Sequence, residues 1–275
     1  MKLAISCAVF LFGLWVPRAF ANAALQFGCN GTVFIMPGMT DQRNVLVLTN
    51  GHCIGLGGFQ WQGSSFPAPG EFIIDRHLQT HEKTKLAIFK HPGQDPTIFS
   101  IEKIVFATLT GSDLAILQIN TTYAELRRLG YRIFTIAQSL PPNGTTLYFL
   151  SYTVKHEGIC AVAKTVAALV EGPFESNNVL KLTLDKRCGV PPGVSGTAGL
   201  QSGSDQIYAA ANTEYTGPDK NCDIMNPCER DADTGALIFG VPGQAYAIPT
   251  SPLHACYDAA SAQFNFKLAG CALIK

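Results

Sequence analysis

Charge is scarce in this chain. Only 15% of its residues are Asp, Glu, Lys or Arg. Basic residues nowhere gather into a run, which gives no support for a nucleic-acid or polyanion partner. After the N-terminal segment no apolar stretch approaches the about 20 residues of a membrane helix, so no membrane partner is expected of the mature chain. Long helical periodicities are few, and there is no internal repeat or low-complexity tract. Neither Cys-x₂-Cys pairs nor His-rich clusters occur, which argues against a zinc site. No metal and no cofactor is expected.

What is present begins with "MKLAISCAVFLFGLWVPRAFANA". Lys2, the apolar run from Leu3 to Val16 and the small residues of "AFANA" form the three-part plan of a secretory signal peptide over residues 1–23, cleaved after Ala21 or Ala23. A membrane anchor is the alternative, but the apolar run is short for a bilayer and Pro17 and Arg18 follow it. The mature protein is therefore expected to be secreted or periplasmic. Of nine cysteines, Cys7 leaves with the signal, and the remaining eight allow four disulfides in an oxidising compartment. Of 20 basic residues, Lys2 and Arg18 leave too, so 18 stand against 20 acidic ones.

Short β-branched or aromatic runs fill the rest: "NVLVLTN" (44–50), "KLAIFK" (85–90), "IEKIVFAT" (101–108), "DLAILQI" (113–119), "TLYFLSYTV" (146–154), "VLKLTL" (179–184) and "QIYAAANT" (206–213). Turn signals such as "HPGQDP" (91–96) and "PPNG" (141–144) punctuate them. This pattern predicts an all-β sandwich or barrel. Helices are expected only at 122–131, where Thr122 resembles an N-cap, and at 251–264, which opens on Ser-Pro and is rich in alanine. The Pro/Gly stretch at 137–146 divides the mature chain into halves, 24–136 and 137–275.

The chemistry centres on "CGVPPGVSGTAGL" (188–200). Ser195 between Gly193 and Gly196 is a nucleophile if a base and an orienting acid reach it, and otherwise a turn serine. His52 follows the apolar strand of "VLVLTNGHCIG" (45–55), and Asp113 opens the strand of "GSDLAILQI". Singly, each is more often a turn or surface residue. Together they stand in the order His…Asp…Ser, one of the convergent orders of serine hydrolases.

These segments resemble the trypsin-like (chymotrypsin-fold) serine peptidases. "LTNGHC" is similar to their histidine signature, "SDLAIL" to their aspartate strand and "GVSGTAGL" to their nucleophile loop. The resemblance runs from about Cys29 to the C-terminal helix expected at 251–264. It implies two packed six-stranded antiparallel β-barrels with the catalytic groups between them, His52 and Asp113 from the first and Ser195 from the second. In that scheme His52 is the general base, Asp113 fixes its tautomer, and the backbone N–H groups of Gly193 and Ser195 form the oxyanion hole. The implied activity is that of a monomeric serine endopeptidase acting on protein or peptide substrates. The resemblance also pairs Cys29 with Cys53; Cys160 and Cys188, which bracket the strands leading to the nucleophile, are expected to pair next, and Cys222–Cys228 and Cys256–Cys271 are the remaining local pairs.

Departures from the family carry information. Val194 replaces the aspartate that usually pairs with a freshly cut N-terminus, and only five residues separate Ala23 from Cys29. The oxyanion loop is therefore expected to be shaped without a buried N-terminus, with Pro191 and Pro192 stiffening it. The family's N-terminal strand has no counterpart in the motifs, which leaves closure of the first barrel open. In lacking that aspartate the chain is closer to bacterial glutamyl-endopeptidase-like relatives than to trypsin. Gly189 stands where trypsin carries its acidic pocket residue, so a preference for Lys or Arg is not expected at that position. The strand "YAAANTEYTG" (208–217) lacks the histidine of glutamate-specific relatives. Glu214 and Tyr215 are candidates for the pocket lining, with a solvent-facing position the alternative for each. Two rival functions remain: a catalytically silent homologue acting as a binding module, and an α/β-hydrolase esterase using His254. Thr197 and the poor helix former "TAGLQSGSDQ" speak against the second.

Overall fold

The computed structural model describes residues 22–25, 28–82, 84–91, 94–217 and 221–274. Of the expected signal peptide, only Asn22 and Ala23 lie inside this range. The chain is all-β with few helical residues. In order it forms β1 (Asn22–Ala24), β2 (Asn30–Ile35), β3 (Asn44–Thr49), β4 (Phe59–Trp61), β5 (Ser64–Phe66), β6 (Phe72–His77), β7 (Lys85–Phe89), β8 (Thr97–Thr108) and β9 (Leu114–Thr122). A short helix α1 (Tyr123–Arg128) leads to β10 (Phe134–Ile136), β11 (Thr146–Ser151), β12 (His156–Glu171), β13 (Phe174–Leu182), β14 (Ala198–Gln201) and β15 (Gln206–Tyr215). Then come β16 (Cys228–Arg230), β17 (Leu237–Phe239), β18 (Gln244–Pro249) and the small hairpin β19 (Tyr257–Asp258) and β20 (Gln263–Phe264).

The first half closes into a six-stranded antiparallel barrel, β1-β7-β8-β9-β3-β2, with β2 pairing back onto β1. Closure depends on three residues that carry no periodic signal of their own: Ala23 sits opposite Gly31 on one side and Ile88 on the other. In the second half β15-β14-β11-β12-β13-β18 are neighbours in that order, and β18 pairs again with β15. β10 lies between the halves, parallel to both β2 and β15.

The run "VLVL" in β3 shows why the strands read as continuous apolar segments instead of alternating ones. Side chains alternate across a strand. Val45 and Val47 face the barrel interior with Leu86, Ile88 and Leu117. Leu46 and Leu48 face outward into a cluster shared with Ile207, Tyr246 and Ile248 of the second half. Both faces are buried, each fully buried Leu being worth about 1.5–3 kcal/mol over an exposed one. Phe34 and Phe134 extend the shared cluster, so the halves are joined by a hydrophobic core.

Helix α1 starts where the sequence predicts, with Thr122 Oγ1 accepting from the Glu125 N–H at 3.3 Å. The helix expected over 251–264 does not form. A 3-10 segment, Ser251–Cys256, ends there, and Tyr257 turns extended. Its hydroxyl donates to the Pro37 carbonyl at 2.9 Å and its ring meets Phe264 edge-on at 5.4 Å. Packing of these two rings against the shared core overrides the alanine-rich local preference.

Four disulfides are formed: Cys29–Cys53, Cys160–Cys188, Cys222–Cys228 and Cys256–Cys271. The first ties the residue just before β2 to the 3-10 turn Gly51–Cys53 that carries His52. Cys29, His52 and Cys53 lie close enough together to suggest a metal cluster, but the two sulfurs are bonded to each other.

Candidate active site

β3 ends at Thr49, and the chain turns at once into Gly51–Cys53, lifting His52 over the end of the barrel. Asp113 stands one residue before β9, the neighbour of β3. This adjacency brings together residues 61 apart in sequence. His52 Nδ1 and Asp113 Oδ2 are 2.6 Å apart, and the His52 backbone N–H donates to Asp113 Oδ1 at 3.0 Å. The Asp113 carbonyl in turn accepts from Asn50 Nδ2 at 2.8 Å, which fixes the loop from both sides. Asp113 is buried and the His52 side chain is 28% exposed. Burial pulls the imidazole pKa down, but the charge and hydrogen bond of Asp113, helped by the charge of Glu171, outweigh it and hold the ring above its ordinary value.

Ser195 lies in the same cleft, which has a volume of about 270 Å³ and is lined by His52, Asp113, Gly193 and Ser195 among others. Its Oγ donates to the Asn212 carbonyl on β15 at 3.2 Å. Among the described residues, no hydrogen bond joins it to His52 in this state. Nor is the backbone N–H of Gly193 or Ser195 taken by an internal bond there. Gly193 has φ +91°, and a β-carbon on it would come 2.6 Å from Val154 Cγ1. Gly196, at φ +81°, would clash harder, with a β-carbon 2.0 Å from the Asn30 carbonyl oxygen. The loop therefore needs glycine on both sides of Val194–Ser195.

What holds that loop is a residue the sequence reading passed over. Asn30, on β2 and almost fully buried, donates from Nδ2 to the Gly193 carbonyl at 2.5 Å, and its backbone N–H donates to the Ser195 carbonyl at 2.7 Å. Its Oδ1 accepts from Ser151 at 3.0 Å and Thr153 at 2.8 Å, and its own carbonyl accepts from Thr49 Oγ1 at 2.6 Å. Val194 is fully buried among Cys188, Val190 and Phe149, an apolar seat unsuited to an ion pair. Pro191 is half-buried and Pro192 exposed, and the Val194 N–H closes a turn on the Pro191 carbonyl at 3.1 Å. The loop is thus pinned across the junction by hydrogen bonds. Extending the chain ahead of Asn22 should leave kcat/KM essentially unchanged, measured on matched proteins; a complete loss would reinstate a role for the terminus.

Gly189 adjoins Glu214, which lines the cleft, but is not itself part of the lining. Glu214 Oε2 accepts from the Val190 N–H at 2.7 Å and lies 3.3 Å from where a Gly189 β-carbon would stand. Tyr215 is buried and packs against Gly240, away from the cleft lining. Glu171, at the end of β12, was not singled out from sequence. It lines the cleft, its Oε1 accepting from Thr213 Oγ1 at 2.9 Å and the Met225 N–H at 3.2 Å. Burial pushes its carboxyl up to about 7, with the charge of Asp113 adding to the rise and Thr213 and His52 opposing it. His254 is elsewhere, bonded at 3.0 Å to the Ile136 carbonyl.

No family model matches the sequence, and no curated protein matches it. Among solved structures, the chain is similar to the MamO protease domain from Magnetospirillum magneticum, at 14% identity and a TM-score of 0.48 over 86% of this chain and 95% of that one. It is also similar to a glutamic acid specific serine protease described as using a novel histidine triad in substrate binding. There the identity is 12% and the TM-score 0.43, over 84% of this chain and 92% of that one. At these values neither likeness bears on activity or specificity.

Proposed function

We propose that this protein is a secreted or periplasmic serine endopeptidase of the trypsin-like kind. In this reading the two six-membered strand sets are packed barrels and the cleft between them is the active site. The observation that carries it is the 2.6 Å contact between His52 Nδ1 and Asp113 Oδ2 in the cleft that also holds Ser195. Asp113 keeps the proton on Nδ1, leaving Nε2 as the base. A rotation about the Ser195 Cα–Cβ bond releases Oγ from the Asn212 carbonyl and turns it to that nitrogen, a bond that commonly tightens only with substrate present. Oγ then attacks the peptide carbonyl while its proton passes to Nε2, and the N–H groups of Gly193 and Ser195 receive the oxyanion. The imidazolium returns the proton to the leaving amine, and water repeats the sequence on the acyl-enzyme to free Ser195.

Four disulfides suit an oxidising compartment. Signal cleavage after Ala21 leaves β1 whole, whereas a cut after Ala23 removes two of its three residues. The substrate is a protein or peptide and the working unit a monomer. A glutamyl preference has little support here, because Asp113, Glu171 and Glu214 already place three acidic groups on the cleft lining.

A fluorophosphonate probe tests the reading. Labelling should occur on the wild-type protein, vanish in Ser195→Ala and fall steeply in His52→Ala. If folded, fully oxidised protein takes up no label, the resting Ser195–Asn212 bond is its permanent state, and the chain is the binding module.

A further inference from the structure

We propose that Glu171 forms the floor of a subsite that selects a lysine or arginine side chain in the peptide segment upstream of the cleaved bond. The cleft supplies the chemistry from both directions. Its lining contains Asp113, Glu171 and Glu214 but no Lys or Arg, and the Asp113 carboxylate is already engaged by His52. Among the described residues, no lysine or arginine forms an ion pair with Glu171. Both bonds it accepts fall on Oε1, which turns the carboxyl so that Oε2 is left for a ligand. Phe174 pairs with Glu171 across the β12–β13 hairpin, and Trp61, Phe66 and Leu169 line the same cleft, giving apolar surface suited to the methylene stem and rings suited to the cation itself.

The position follows from β15. Successive side chains on a strand point to opposite sides. Thr213 reaches Glu171 while Glu214 reaches Val190, so the two carboxylates flank the strand on opposite sides. Beyond Ala211 the edge of β15 that pairs with β14 has no further strand partner among the described residues, while its other edge stays paired with β18. A peptide laid along that open edge presents side chains alternately to the two sides, one of them toward Glu171.

Burial holds this carboxyl half-neutral near pH 7 despite the two bonds it accepts, and an arriving ammonium or guanidinium restores its charge. The titratable groups that share its field are His52 and Asp113 across the cleft and Tyr246 on β18.

The proposal takes from the peptidase reading only the identity of its ligand as a peptide, and a binding experiment separates the two. Fluorescein-labelled peptides with lysine or norleucine at each of several successive positions are titrated against the Ser195→Ala protein at pH 8.5. At one position lysine should bind on the order of 10- to 100-fold more tightly, the span of a single charge-assisted hydrogen bond. Adding Glu171→Gln should bring the ratio close to one. Should that variant fail to fold by near-UV circular dichroism, the same ratio is read at pH 5.5 and 8.5 in Ser195→Ala/His52→Ala, where the imidazole that titrates in the same window is gone. There it should collapse at the lower pH. No preference at any position, a preference that survives Glu171→Gln, or one indifferent to pH in the His52-free protein would overturn the proposal. A wild-type protein that takes the fluorophosphonate yet shows no lysine preference sinks the subsite alone. One that refuses the label yet discriminates through Glu171 sinks the peptidase reading alone.

Discussion

Asp113→Asn should lower kcat by about 10⁴-fold, the magnitude seen when the acid of a serine-hydrolase triad becomes an amide. The substitution changes almost no volume, so the loss has an electronic origin. The asparagine Oδ1 can still accept from the His52 backbone N–H, which now goes to Asp113 Oδ1 at 3.0 Å. Its Nδ2 then meets His52 Nδ1, where the carboxylate oxygen lies at 2.6 Å. An amide N–H can only donate to that nitrogen. The ring proton moves to Nε2, and the atom that must take the Ser195 proton already carries one. The pH profile gives a second readout. In the wild type the imidazole is held above its ordinary value, so the acid limb of kcat/KM should lie above about 6.5. Asp113 supplies the two largest upward influences; without it burial prevails, and the limb should move to lower pH. A variant that keeps near-wild-type kcat would mean that Asp113 does not set the tautomer.

Asn30→Leu should cost on the order of 10²-fold in kcat, the low end of what is lost with one oxyanion-hole donor. Leucine has nearly the same shape but cannot donate to the Gly193 carbonyl or accept from Ser151 and Thr153. Three polar groups at a buried junction lose a partner, keeping only the 2.8 Å Ser151–Thr153 bond and the 3.3 Å Thr153 contact to the Gly193 carbonyl, so the melting temperature should fall as well. Asn30 touches no reacting atom. In the proposed mechanism it is a positioning residue acting through Gly193 and Ser195. The discriminating measurement is the acyl-enzyme burst: its amplitude counts correctly folded sites, and kcat is then expressed per site. A purely structural role would reduce the amplitude and leave kcat per site intact. A positioning role lowers kcat per site while KM moves little. Thr153→Val, which removes the 2.8 Å bond to Asn30 Oδ1 and a weaker 3.3 Å contact to the Gly193 carbonyl but leaves the Asn30 Nδ2 donor in place, should do much less.

The two variants probe residues of opposite legibility. Asp113 is readable because it opens the strand "DLAIL" next to a glycine-serine turn, and a motif of that kind lies within a few residues of sequence. Asn30 sits in "CNGT", where an asparagine before glycine reads as a turn former. Its partner Gly193 is 163 positions away, so no local pattern marks the bond. Glu171 was missed for a related reason. In "LVEGP" it looks like an ordinary hairpin-end carboxylate, and its place in the cleft depends on how β12 and β13 are carried against the loop that holds Met225. The strand that closes the first barrel was missed because three residues of "NAA" have no hydrophobic period. Only the pairing of Ala23 with Gly31 and Ile88 makes them a strand.

By itself the sequence determined an all-β chain cut into short strands, with the base and acid candidates at strand ends and the nucleophile candidate in a glycine-rich loop. Those features follow from local periodicity and turn chemistry, which a few adjacent residues suffice to impose. The tertiary structure alone decided which loops meet across the junction: that Asn30 grips Gly193, that Glu171 faces the cleft, and that Tyr257 ends a helix its neighbours favour. Each of these is a contact between distant segments, formed only when burial of the shared core at Leu46, Leu48, Ile207 and Tyr246 brings the halves together.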